Sequence, residues 1–440
     1  MKQKSRTRKV GVAITLPFST WAFMIVSVAT TFFMTAACVM YLLLDTSRTK
    51  DRNVPFPSWR QGQTTGKMLL RQQQQQSSSS SNSKLPGGIL SQYEREYSPN
   101  HLHRIQHFVD TKLRRAQRYQ TQSNMPYDVY NCPPEPPTGY PMDWPSLDLI
   151  ENWNPGNTTE PNTIFQGLCV FEYESDIQTA TNYRKAEVPF LITHVPDIMK
   201  AAERWNRNSS YLSKLVGNEK VKTEHSLNQH FMYWRSRSHL PLGWSPPTDE
   251  TTLTFDDWLQ KAQTLTTDQV NHDRWYFRLN ANYKGTHHYL YDELPLFTPT
   301  LNNFFMVESN QERGINCRFG MTGVMAETHF DSSRNFIALM GGQRRYILSH
   351  PKYCQNMYLY PQKHPSFRHT AVDWMNVNVK EFPLFQQGRV NEVVLQAGDV
   401  LYLPTFWFHT IVSLNINYQC NARSGSTTEY HHHVKECGFA

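Results

Sequence analysis

No internal repeat runs through this 440-residue chain, which excludes collagen-like and coiled-coil architectures. None of its seven cysteines stands in a CxxC spacing, so a zinc ribbon is not expected. Charged residues make up only 18% of the sequence, and positions 10–44 hold none. What fills the chain instead is apolar: 39% hydrophobic and 13% aromatic residues, enough for a sizeable core and too much for a wholly disordered polymer. The net charge of +7 is gathered early, with Lys2, Lys4, Arg6, Arg8 and Lys9 at the very start. That distribution points to membrane topology and a basic stem, so no nucleic-acid partner is expected.

Residues 20–44 are rich in Phe, Met, Val, Ala and Leu. At about 1.5 Å per residue they span a hydrocarbon core of about 30 Å. Trp21 and Tyr41 sit near the two ends, where amphipathic rings prefer the interface. Thr35-Ala36-Ala37 offers small residues to a signal peptidase, which keeps a cleaved signal as the alternative. The apolar run is longer than the about 7–15 residues of a signal h-region, so an uncleaved signal anchor is expected over 20–44. The basic residues before it make 1–19 a cytosolic tail and put the rest in the lumen, as in a single-pass type II membrane protein. Endoplasmic reticulum, Golgi and a plastid-related membrane all fit. Asn157-Thr158-Thr159 and Asn208-Ser209-Ser210 are glycosylation sequons, so a glycoprotein is expected. Cys38 falls in the span; Cys132, Cys169, Cys317, Cys354, Cys420 and Cys437 leave every pairing open, and free buried thiols as well.

After the span, Gln72–Gln76 run directly into Ser77–Ser81, a composition that buries too little apolar surface to offset chain entropy. Residues 45–125 therefore read as a disordered stem carrying one basic amphipathic helix, marked by Leu102, Ile105, Phe108, Val109, Leu113 and Ala116. Aromatic residues become dense from Asn131. Helical patterns occur at Val195–Trp205, Ser209–Val216 and Phe255–Thr264. Beyond Trp275 short strand-like runs dominate: Phe336–Met340, Arg345–Leu348, Glu392–Leu395, Val400–Leu403 and His409–Leu414. This order suggests a mainly β, closed or double-sheet fold with a helical shoulder, ending in a polar tail at 426–440 that includes His431-His432-His433.

His329-Phe330-Asp331 carries the chemistry. In a strand, residues i and i+2 share a face, so His329 and Asp331 project together while Phe330 packs outward. One imidazole and one carboxylate supply two of three ligands of a facial triad, and His409 is the candidate for the third. Such a triad leaves positions open for a chelating co-substrate and dioxygen, which suits non-haem Fe(II) better than a closed structural zinc site.

Around these residues, Asn335-Phe336, Gln343-Arg344-Arg345-Tyr346-Ile347-Leu348, Ala397-Gly398-Asp399-Val400-Leu401-Tyr402-Leu403-Pro404 and Trp407-Phe408-His409 resemble the JmjC (cupin-like) oxygenases. The nearest flavour is the hydroxylase subgroup typified by the asparaginyl hydroxylase factor-inhibiting-HIF. Val188-Pro189-Phe190-Leu191-Ile192 resembles the opening strand of that family, so the likeness covers roughly 130–425. It implies a double-stranded β-helix (cupin or jelly roll), Fe(II), 2-oxoglutarate and O₂, and hydroxylation of a protein side chain, with a small molecule or glycan as other substrate classes. It also implies that Tyr276, Asn335, Arg344 and Asn421 hold the co-substrate, and that a homodimer is possible.

Two positions depart from the family. Arg344 stands where a lysine usually meets the remote carboxylate of 2-oxoglutarate, keeping the charge with a different shape. Ala326 stands where the subgroup often has threonine, a loss of one hydrogen bond worth roughly 1 kcal/mol. These departures support a competing reading, a catalytically silent lumenal cupin that only binds. A JmjC demethylase is the third. Arg278, two residues beyond Tyr276, shares its face and reaches either the co-substrate or substrate, or a surface ion pair. Tyr358-Leu359-Tyr360-Pro361 and His364-Pro365 fall in an insertion near the expected substrate mouth.

Overall fold

The computed structural model describes residues 120–121 and 124–439, apart from 208, 237–240, 242, 266–272 and 301. The expected anchor at 20–44, the helix at 102–116 and the Asn208 sequon lie outside the described residues. Within them, no helix is long and apolar enough to cross a membrane.

The first half of the body runs β1 (Gln120–Thr121), β2 (Trp144–Pro145), α1 (Ser146–Asn152), β3 (Thr163–Ile164), β4 (Val170–Glu172), α2 (Tyr173–Lys185), β5 (Phe190–Thr193), α3 (Pro196–Arg207), α4 (Ser209–Val216), β6 (Val221–Ser226), β7 (His230–Phe231), β8 (Asp249–Leu253), α5 (Phe255–Thr264), β9 (Arg274–Ala281) and α6 (Tyr289–Glu293). The second half is nearly all strand: β10 (Glu312–Gly320), β11 (Met325–Phe330), β12 (Asn335–Gly341), β13 (Gln343–Ser349), β14 (Arg389–Gln396), β15 (Val400–Leu403), β16 (Phe408–Ser413), β17 (Asn417–Ser424), then α7 (His431–Glu436).

Strands β10 to β17 divide between two sheets. One has the order β4-β5-β15-β12-β17-β10-β9-β6-β8, the other β2-β14-β13-β16-β11-β7. Eight antiparallel strands shared in this way form a jelly roll, whose inner faces meet around a common core. Alternation along β12 shows why both faces are buried: Ile337 and Leu339 pack inward against Leu348, Leu395 and Leu403, while Phe336, Ala338 and Met340 pack outward under the helices. Those helices are the expected shoulder. On α3 the buried residues Ile198, Ala201, Ala202 and Trp205 recur at helical spacing behind Pro196 at the first turn. Thr254 caps α5, its side chain accepting from Asp257 N.

Two boundaries differ from expectation. β1 lies inside the segment assigned to the stem, yet its backbone pairs in parallel with β3 (Gln120 with Thr163). That partner is distant in sequence, so local composition gave no sign of it. The tail at 426–440 is not a solvated segment: it holds α7, with Val434 and Phe439 buried and the Phe439 ring 5.3 Å from that of Phe330. A covalent tie replaces the missing periodicity, because Cys437 is bonded to Cys354. Cys132–Cys169 and Cys317–Cys420 use the other four cysteines among the described residues, the latter joining register partners on β10 and β17.

The Cys354–Cys437 link joins residues 83 apart in sequence, so Cys437→Ser is expected to cost about 2–4 kcal/mol. Tryptic cleavage after the exposed Lys435 should quicken, as mass spectrometry of the digest would show.

Candidate metal centre and co-substrate cavity

His329 on β11 and His409 on β16 are antiparallel register partners, which sets their rings side by side with centroids 4.2 Å apart. Asp331 follows the last residue of β11. One donor atom from each of His329, Asp331 and His409 lies within 4.8 Å of the others. Both imidazoles are oriented by backbone carbonyls: His329 Nδ1 donates to Glu327 O (2.7 Å) and His409 Nδ1 to Trp407 O (3.1 Å). A carbonyl only accepts, so Nδ1 carries the proton and each Nε2 keeps its lone pair for an ion.

Charge states suit the same use. Burial, then the neighbouring His409 and His369, push His329 well below the ordinary histidine range, and burial likewise lowers His409. Burial acts upward on Asp331, but Arg423 and then His329 outweigh it and hold the carboxyl well below its usual range. Arg423 Nη2 donates to Asp331 Oδ2 at 2.6 Å. Two neutral nitrogen donors and one carboxylate fit a ferrous ion with an open face.

The site opens into a cavity of about 650 Å³. Asn335 and Asn421 line it as a linked pair: Asn421 Nδ2 donates to Asn335 Oδ1 (2.8 Å), and Asn335 Nδ2 approaches Asp331 Oδ2 at 3.4 Å. Tyr276 also lines it, but Arg344 does not. Arg344 is fully buried beneath the floor, where Nη1 donates to Tyr276 Oη (3.1 Å) and Gln419 Oε1 (2.6 Å), Nη2 donates to Arg318 O (2.9 Å), and Nε is bonded to Asn417. It therefore reaches the cavity only through Tyr276 and Gln419. Since Gln419 Oε1 accepts from both Arg344 and Tyr346, the amide nitrogen is left for the cavity side. The backbone at Ala326 is in register with Ile411, and Thr328 turns away from His329 to bond Thr410.

Several lining residues were not singled out by sequence. Along β17 the polar residues Asn417, Gln419, Asn421 and Arg423 alternate with Tyr418, Cys420 and Ala422, so period-two reading extends the Asn421 face to Gln419 and Arg423. Arg318 on β10 is in register with both Gln419 and Arg278. Arg278 lines the cavity and pairs with Glu224, an ion pair within the wall rather than at the surface. Arg368 and His369 come from the insertion between β13 and β14, where an isolated bridge pairs His369 with His329 and stacks their rings at 4.9 Å. In that insertion Tyr360 stacks on His364. His431 of α7 lines the mouth, while His432 is exposed.

Residues 176–428 match the family described as cupin-like domain, more than half of the chain. The chain belongs to the cupin-like domain family. Within it, this chain is similar to Lysine-specific demethylase JMJ30 of Arabidopsis thaliana, 23% identical over 54% of this chain and 49% of the relative. It is 33% identical to human tRNA wybutosine-synthesizing protein 5 over 22% of this chain and 29% of that protein. JmjC domain-containing protein D of Dictyostelium discoideum is 32% identical over 25% of this chain and 24% of its own length. The chain thus spans half or less of the length of each of these relatives.

Proposed function

We propose that this protein is a membrane-anchored, lumenal oxygenase dependent on Fe(II) and 2-oxoglutarate that hydroxylates a protein side chain. The observation that carries the reading is the donor set of His329, Asp331 and His409 at the inner end of a cavity inside a closed jelly roll. When bound, the ion and 2-oxoglutarate would supply O₂ activation and oxygen insertion into a C–H bond. The chain's own part is to hold and orient. His329, Asp331 and His409 would hold the ion. Tyr276 and Gln419 would offer donors to the remote carboxylate, with the Arg344 charge one hydrogen bond behind them, and Asn335 and Asn421 would orient the chelating end. The walls around them would limit the access of water to the reacting atoms.

Anaerobic addition of Fe(II) and 2-oxoglutarate should give a visible charge-transfer band. No band, or a band without succinate formation when oxygen is admitted, would favour the silent binding module. Tyr276→Phe should weaken 2-oxoglutarate about tenfold or more in a titration of the same band, since a hydrogen bond to a charged group is worth about 1.5–3 kcal/mol. Fe(II) affinity without co-substrate should be unchanged.

The three disulfides support an oxidising compartment and so the lumenal part of the reading. Asn157 is exposed, as glycosylation requires. In sealed microsomes the catalytic body should resist added protease until detergent is present; digestion without detergent would overturn the type II orientation.

A further inference from the structure

Six arginines line the cavity: Arg235, Arg278, Arg313, Arg318, Arg368 and Arg423. Among the described residues, Glu224 and Asp331 are the only carboxylates in its lining. Both are committed, Glu224 to Arg278 and Asp331 to Arg423. Four cations are left without a carboxylate, and a ferrous ion would add to them. A dianionic co-substrate offsets two charges, so the excess persists in the loaded site. Arg318 and Arg368 are half-buried while Arg235 and Arg313 are exposed to water, which screens them; an anion is drawn to such a gathering of like charge.

Two of the four, Arg235 and Arg368, share one place. The Arg368 and Arg235 guanidinium carbons lie 5.0 and 5.5 Å from the same Phe367 ring centroid, so both heads border that ring. Arg235 N donates to Pro365 O (3.1 Å), so the two segments are tied at this point. Arg368 also reaches toward the metal centre, with Nη1 donating to Phe330 O at 3.3 Å, next to Asp331. Its buried Nε has no hydrogen-bond partner among the described residues. The backbone of Arg368 is held at φ 71°, a left-handed conformation a side-chain-bearing residue rarely takes, so the fold accepts strain to aim it. Burial, and then the nearby Arg423 and Arg235, lower the Arg368 guanidinium from its ordinary value, although Asp331 acts the other way.

We infer that the oxidised substrate carries its own anionic group, a carboxylate or a phosphate, gripped by Arg368 and Arg235 beside the metal centre. Planar guanidinium forks match either anion. A methylated lysine, being a cation, is repelled from the same place. The inference rests on the oxygenase reading and names the substrate class for that site.

The test uses the full protein, loaded anaerobically with Fe(II) and 2-oxoglutarate so that the co-substrate position is filled, and titrated calorimetrically with hexaglutamate, hexaglutamine or inorganic phosphate. Hexaglutamate or phosphate should bind at least about tenfold more tightly than hexaglutamine. The Arg235→Gln/Arg368→Gln double variant should lose that preference, and Arg368→Lys should keep part of it, with thermal melts checking that each variant is folded. Binding of hexaglutamate alone assigns a carboxylate, and of phosphate alone a phosphate; either supports the inference. Equal binding of hexaglutamate and hexaglutamine with no phosphate bound, or a preference untouched by the double variant, overturns it. Absence of the charge-transfer band in the wild type instead overturns the oxygenase reading itself.

Discussion

Arg345→Met is expected to lower the free energy of unfolding by about 3–5 kcal/mol, a large share of the total stability of a single body. Arg345 and Glu392 are both fully buried and joined at 2.6 Å. Arg345 Nη1 donates to Trp153 O (2.8 Å), its guanidinium lies 4.1 Å from the centroid of the Trp153 ring, and Glu392 Oε1 accepts from Phe165 N (2.7 Å). The pair thus fixes the segment between β2 and β4 onto the outer face of β13 and β14. Removing the cation alone strands a carboxylate in a dry interior, which costs more than the lost attraction. The double variant Arg345→Met/Glu392→Leu should recover most of the loss, because replacing both charges removes the desolvation penalty. Urea unfolding of the oxidised protein measures both. A single variant as stable as the wild type would mean that water reaches Glu392 and the pair is not buried in solution.

Arg344 and Arg345 show how far sequence reading carries. They are adjacent, both wholly buried, and on opposite faces of one strand, where alternation alone assigns one to the barrel and one to the exterior. Alternation does not say that Arg344 would lie below Tyr276 and Gln419, because that depends on Asn417 and Gln419, which β17 brings in from far along the chain. Segments whose signal is local were legible: α4 and α5 coincide with the expected ranges, as does β15, whose four residues are all apolar. Helix α2 was not, since it buries only Ala180 and Tyr183 and its remaining faces are polar. The metal-ligand candidates were visible because their short motifs sit in distinctive surroundings. The arginine surplus was not, because Arg235, Arg313, Arg318 and Arg368 come from three separated segments and only the fold sums their charge.

The largest functional effect is expected from His409→Ala. Fe(II) retained after gel filtration should fall by more than about a hundredfold, since even residues behind a ligand typically account for ten- to a hundredfold. Succinate formation should fall in parallel. The argument is one of donor number. Without His409, His329 Nε2 and the Asp331 carboxylate remain, and Asp331 stays ionised beside Arg423, so the deficit is the third donor rather than the charge. Exogenous imidazole should therefore restore part of the retained iron, while acetate should not. Asp331→Asn should fail differently, for it keeps the shape but strips the charge and leaves Arg423 facing a neutral amide, so neither additive should rescue it. Melting temperatures of the metal-free proteins separate these outcomes from misfolding. His409→Ala with full iron content and full succinate formation would remove the metal centre from this position and the proposed chemistry with it.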